Sequence, residues 1–377
     1  MKTTSAEQGA LVFQDQSGLA PRQPEIWAPM LVTREAIEAE ARRLAELPAP
    51  RSGRRSAVIV HPSSRTADSF TPATSVSIQV LLPGEKTLPF KSNANLLEIC
   101  IRGGGKVTVD GSFEPRLHDV WTVPSMRGHM YENTGDEPWV RLTYSNAPLL
   151  KLLGVLYEEE GVEVSNAQRP EDGLTDAQRR KYASDNAPDV QLTEAGARLR
   201  GYEFLTDIPV VPNPALHWPW EKVWPYLSQV PGDDSDERRR IWLLYHPATE
   251  RRNGTTGTYF ATIGGSPAGT PAYTGKHGHR HTSASINYHI SGGTGYSIVD
   301  GVRIDWKAGD LLLSAPSWSE HAHYHGDDGW RVLTVQDHPL HIAMGSLLWQ
   351  EKFDGPILAL GSEEGQKGYT SPRTQGT

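Results

Sequence analysis

Cysteine is almost absent: Cys100 is the only one in 377 residues. A disulfide within the chain is therefore excluded, and the reducing cytoplasm is the simplest expected compartment. Positive charge is in deficit as well. Lys and Arg number 37 against 45 Asp and Glu, a net charge of −8. A phosphate backbone needs a basic surface, so nucleic acid is not an expected partner. No apolar run approaches the roughly 20 residues of a membrane span. The opening Met1-Lys2-Thr3-Thr4 has no apolar stretch behind its lysine, so no secretory signal is expected.

What is present describes a globular chain, with 22% charged and 37% hydrophobic residues, and a length sufficient for two domains with a core each. The 36 Gly and 28 Pro are scattered between short apolar runs, as in an all-β protein with many turns. Eleven Trp is a high number for this length; such rings fill cores first and line pockets for flat ligands second.

Two stretches about 190 residues apart share a series of landmarks. Val107-Thr108-Val109-Asp110-Gly111 is followed by Asp119, Pro124, His129, Trp139, Pro148-Leu149 and Gly154. Ile298-Val299-Asp300-Gly301 is followed by Asp310, Pro316, His321, Trp330, Pro339-Leu340 and Gly345. So many spaced matches indicate a duplicated domain. In the second copy, strands are expected at 257–263, 285–290, 295–299, 310–314 and 330–335, with Asp300-Gly301 among the turns. Short, evenly spaced strands indicate a sandwich or barrel. Helices are expected at 33–47, opened by Thr33 as N-cap, and at 175–183 and 192–200 in the connecting segment. The expected layout is an N-terminal arm and helix (1–50), a first barrel (51–155), a linker (156–215), a second barrel (216–360) and a tail (361–377).

Nine of the fourteen histidines lie between 277 and 341. His279 and His281 alternate on one face of a strand and can share an ion, and His321 can close the site from a later strand of the same barrel. Neutral imidazoles suit Fe, Mn, Zn, Ni and Cu, so the ligand type leaves the metal open.

With these residues the chain resembles the cupin superfamily. Its first motif places H-x-H between glycines with a glutamate following, as Gly275, His279-Arg280-His281 and Gly292-Gly293 do here without the glutamate, whose place falls on Ser285 or Ile286. Pro316-Ser317-Trp318-Ser319-Glu320-His321 supplies the second motif. The missing glutamate is similar to the gentisate 1,2-dioxygenase-like bicupins, a group including salicylate, 5-nitrosalicylate and 1-hydroxy-2-naphthoate dioxygenases. His279-Arg280-His281-Thr282 follows that group's H-R-H-T-x-S-A, and Trp318 through His325 follows its W-x-x-H-x-H-x-H. The resemblance implies a bicupin of two jelly-roll barrels, Fe(II) on His279, His281 and His321, ring cleavage of a salicylate-like acid by O₂, and a homo-oligomer. Three neutral ligands leave the ion's double charge intact, which favours an anionic, bidentate substrate.

The chain also departs from the group. The first copy reads Phe90-Lys91-Ser92-Asn93-Ala94-Asn95 where H-x-H belongs, so only the second copy is expected to hold metal. Asn287 stands where the group places an arginine for the substrate. Asn287 and His289 are expected in the pocket on the face of Ser285, and His323 on the inward face of His321, as substrate or acid/base groups. Arg331 is a candidate anion partner, although a surface ion pair is the commoner fate of an arginine, and Trp318 a candidate stacking ring, although packing is commoner. His277 is expected outside the ligand set. Two other readings stay open: a Mn- or Zn-dependent cupin isomerase, decarboxylase or lyase, and a module that merely binds a small acid.

Overall fold

Strand alternation determines which way each residue of the second copy faces. Along Ser285–Gly292, Ile286, Tyr288 and Ile290 enter the main hydrophobic core, so Ser285, Asn287 and His289 point the opposite way. The computed structural model describes residues 13, 15–164, 175, 177, 189–201, 211–228, 240–269 and 278–361. His277, Gly275, most of the expected helix at 175–183 and the tail beyond 361 lie outside the described residues.

The architecture is all-β, with helices confined to the flanks. A six-stranded sheet of the second copy runs, in spatial order, Met30–Val32, Leu311–Ala315, Ser285–Gly292, Trp330–Gln336, Phe260–Ser266 and Arg240–Leu243. The sheet of the first copy runs His217–Trp218, Val120–Val123, Leu96–Arg102, Trp139–Ser145, Ser75–Leu81 and Arg55–Ile59. Strand for strand the two orders are the same, and each copy adds a three-stranded sheet: Lys106–Thr108, Ser112–Phe113 and Met130–Glu132 in the first, Thr294–Val299, Val302–Lys307 and His321–His325 in the second. The outer faces of the large sheets share one core, in which Val76, Ile78 and Leu142 belong with Ile263, Leu333 and Val335.

The end strands are exchanged between the copies. Met30–Val32, which precedes the first copy, pairs with Leu311–Leu313 of the second. His217–Trp218, expected at the start of the second barrel, pairs instead with Val120–Trp121 of the first. Each barrel thus borrows a strand from the other's leading arm, covering a sheet edge that would otherwise be open.

The repeated landmarks have local causes. Asp110-Gly111 and Asp300-Gly301 all take positive φ, from 45° to 127°, as tight hairpin turns require. Pro148 and Pro339 open short helices, and Gly154 and Gly345, at φ 71° and 64°, follow their ends in the left-handed region.

The helix Arg34–Glu46 forms as expected, with the Thr33 hydroxyl accepting from the Ala36 amide at 3.3 Å. Its far end is held by Arg55, whose buried guanidinium donates to the carbonyls of Leu44, Leu47 and Pro48 and pairs with Glu85 at 2.7 Å. Replacing Arg55 by Met is expected to cost about 3 kcal/mol in thermal denaturation, because three carbonyls and a partly buried carboxylate lose their partner. Arg55 holds the Glu85 carboxyl below its usual pKa, so this contribution is complete above the ordinary glutamate pKa and fades as pH falls through the lowered one. The gap between wild type and Arg55→Met should narrow in acid.

One expected helix is corrected. Residues 192–200 turn over and return as a strand, Arg198–Arg200, paired with Asp189–Gln191. The spacing of Leu192, Ala195 and Leu199 imitates a helix face, but Gly196 takes φ 95° and its amide closes a turn on the Thr193 carbonyl at 3.0 Å. Among the described residues no helix is long and apolar enough to cross a membrane.

Candidate metal centre

The short strand Arg280–His281 and the strand His321–His325 bring the three histidines together. His279 and His321 face each other across an antiparallel bridge, exchanging backbone hydrogen bonds at 3.3 and 3.0 Å. Their ring centroids lie 4.5 Å apart, and those of His281 and His321 4.8 Å. One nitrogen from each of His279, His281 and His321 falls within a mutual 4.8 Å, a spacing that suits a shared ion.

The nitrogens are prepared for that use. His281 is fully buried, its Nδ1–H is donated to the Ser283 carbonyl at 2.8 Å, and its Nε2 is buried with no hydrogen-bond partner. His321 directs its Nδ1 at the Ser319 carbonyl, 3.1 Å away. Both contacts fix the tautomer whose Nε2 carries the lone pair. Burial, and then the neighbouring imidazoles, hold His281 well below the usual histidine pKa. An orphaned, buried, neutral Nε2 among two further imidazoles is what a divalent ion would occupy.

Trp349 forms the floor. Its indole stacks under His279 at 4.7 Å and under His281 at 5.1 Å. It arrives there because Leu348–Gln350 pairs with Arg280–His281, placing Trp349 opposite His281. Gly278 admits the Glu320 side chain beside the site, where a Cβ would lie 2.4 Å from its carboxylate.

The other candidates divide. Asn287 faces the interior, with Nδ2 donating to Ser314 Oγ at 2.7 Å. His289 lies face to face on Trp306 at 3.8 Å. His323 shares the face of His321 and meets Ser297 Oγ at 2.8 Å, and the same hydroxyl accepts from Trp306 Nε1 at 3.0 Å. These three therefore line the barrel that holds the histidines. Arg331 does not: it alternates with Trp330 and Val332, and its guanidinium lies 4.0 Å over Trp224, on the outer face. Trp318 is likewise turned to Arg280, which points away from its histidine neighbours and stacks over that indole at 4.7 Å.

Sequence reasoning missed Trp349, Ser283 and His338. The buried His338 stacks on Phe260 at 5.1 Å and lies 5.2 Å from the His281 ring; burial pushes its pKa down to about 3. The signal was the duplication itself, since the copy that lacks H-x-H has Ala147 before Pro148 where this one has His338 before Pro339.

The first copy shows the same geometry with other chemistry. Phe90 and His129 make the bridge that His279 and His321 make, so Phe90 replaces His279 and Ser92 replaces His281. Cys100 bonds the Asp119 carbonyl as His289 bonds that of Asp310, at 3.0 and 2.9 Å, and so occupies the place of His289. Two residues earlier, Glu98 replaces Asn287. Its buried carboxylate accepts from Trp121, Tyr131 and Thr143 at 2.6–2.7 Å, beside Arg141.

A salicylate 1,2-dioxygenase from Pseudaminobacter salicylatoxidans superposes with a TM-score of 0.66 at 16% identity, over 89% of this chain and 91% of that one. The chain has the bicupin fold. The gentisate adduct of salicylate 1,2-dioxygenase gives a TM-score of 0.65 at 18% identity, over 88% and 87% of the two chains. In sequence, this bicupin is 22% identical over 309 residues to a 5-aminosalicylate 1,2-dioxygenase from Comamonas sp., covering 80% of this chain and 76% of that protein. No family model matches it. The resemblance to the gentisate 1,2-dioxygenase-like bicupins, expected from the motifs, is supported by these relatives.

Proposed function

We propose that the chain is an Fe(II)-dependent dioxygenase that opens the ring of a salicylate-like or related hydroxylated aromatic acid, with His279, His281 and His321 holding the metal. The observation that carries this reading is the triad: three imidazole nitrogens within 4.8 Å of one another, on two buried residues and one half-buried, with no carboxylate among them. When bound, iron supplies a Lewis-acidic centre at which an anionic substrate and O₂ can meet.

The protein's own groups do the rest. Trp349 packs beneath two ligands and excludes water from that side. His323, anchored by Ser297, is placed to accept the substrate's phenolic proton. Asn287 offers a neutral amide where a cation would grip a carboxylate, and His289, backed by the Trp306 indole, offers its other face to an aromatic ring. The relatives named for salicylates support this substrate class. A homo-oligomer working in the cytoplasm belongs to the same proposal; the end strands Arg55–Ile59 and Arg240–Leu243 offer sheet edges for pairing.

The test is anaerobic loading with Fe(II), followed by oxygen-electrode traces with salicylate, gentisate, 5-substituted salicylates and 1-hydroxy-2-naphthoate. Uptake with at least one is expected. No uptake with any, together with tight Zn or Mn binding, would favour a cupin isomerase, decarboxylase or lyase, or a small-acid binder.

A further inference from the structure

We infer that Ser283 and His338 are positioning residues that hold His281 ready for its metal, acting through the turn between two strands. This rests on the metal reading above and adds residues that contact no ion. The Ser283 carbonyl takes the Nδ1–H of His281 at 2.8 Å. The Ser283 hydroxyl lies 2.9 Å from that Nδ1 and 2.7 Å from Nδ1 of His338. The His281 nitrogen is already a donor at this edge, so of the two nitrogens only that of His338 can accept the serine O–H. The next amide, Ala284, donates to Asp337 Oδ1 at 2.7 Å. Two consecutive residues at the start of the helix His338–Met344 therefore grip two consecutive residues of the turn that follows the ligand.

Every member of this relay is buried: Ser283 is 0% exposed, His281 0%, Asp337 5% and His338 6%. A hydrogen bond sealed from water is stronger and orients its partners more tightly than an exposed one. The arrangement also belongs to one copy only. Where His281 has become Ser92, the residue before the helix proline is Ala147, so ligand and support are absent together. Metal-bound imidazoles depend on the groups around their other nitrogen for tautomer and ring angle, and a change in those outer groups typically costs 10–100-fold in affinity.

The experiment is anaerobic Co(II) titration of the full chain, followed by calorimetry and by the visible spectrum of the bound ion. Ser283→Ala and His338→Phe should each weaken binding by about 10–100-fold and alter the spectrum. The phenyl ring keeps the stack on Phe260, and Ser283→Ala carries the test alone if His338→Phe does not fold. Ser283→Thr, which restores the hydroxyl, should bind within a few-fold of wild type. The double variant should be no weaker than the weaker single one, because both changes break one relay. Affinity and spectrum unchanged in both single variants would overturn the proposal, as would a double variant whose loss is the product of the two. Failure of the wild type to bind Co(II), or undiminished binding by His281→Ala, would overturn the metal reading itself and this inference with it.

Discussion

His281→Ala is expected to leave the chain without bound divalent metal, whereas His129→Ala should keep one ion per chain. Both are buried histidines inside a barrel, His281 in the triad and His129 at the place that His321 takes in the other copy. Their surroundings differ. His281 has Nε2 without a hydrogen-bond partner and two imidazoles within reach, so removing it takes one donor from a three-donor set. His129 has Phe90 edge-on at 5.8 Å and a backbone contact to the Arg127 carbonyl at 3.0 Å. A phenyl ring offers an ion no lone pair, and the serine hydroxyl at position 92 is a poor substitute for an imidazole. Metal content by mass spectrometry after dialysis distinguishes the cases. Equal loss in the two variants would mean that the metal lies elsewhere.

The second large effect concerns the barrel without the triad. Glu98→Ala should destabilise the chain by about 3–5 kcal/mol, read as a shifted urea midpoint, while leaving the metal content unchanged. The Glu98 carboxylate is the shared acceptor of an indole N–H, a phenol and a threonine hydroxyl, all buried. Burial and the Glu98 charge push the Tyr131 hydroxyl well above its usual pKa, so it stays protonated and donates. Removing the acceptor orphans three donors at once and leaves Arg141, stacked over Tyr131 at 3.6 Å, as a buried cation without its anion. Glu98→Gln keeps an acceptor oxygen and should lose less. An unshifted midpoint for Glu98→Ala would show that this polar cluster does not support the barrel.

Much of the fold was legible because its signals are local. Asp-Gly pairs must turn, the Pro and Gly landmarks begin and end short helices, and Thr33 caps a helix with an apolar face. The triad was legible because alternation puts two histidines of H-x-H on one side of a strand. What escaped depends on contacts between distant segments. Trp349 reaches the site through strand pairing with residues nearly seventy positions earlier. The borrowed end strands are only two or three residues long and carry no pattern of their own. Arg331 sits in a strand that is apolar on both faces, where alternation cannot say which side is the pocket. His338 acts through Ser283, and neither residue type announces a relay.

The most direct measurement is a single turnover of the Fe(II)-loaded chain with a salicylate under ¹⁸O₂, followed by mass spectrometry of the product. A ring-opened acid carrying two ¹⁸O atoms is expected, with no product from His281→Ala. A product with one labelled oxygen, an intact ring, or turnover that survives His281→Ala would contradict the dioxygenase reading.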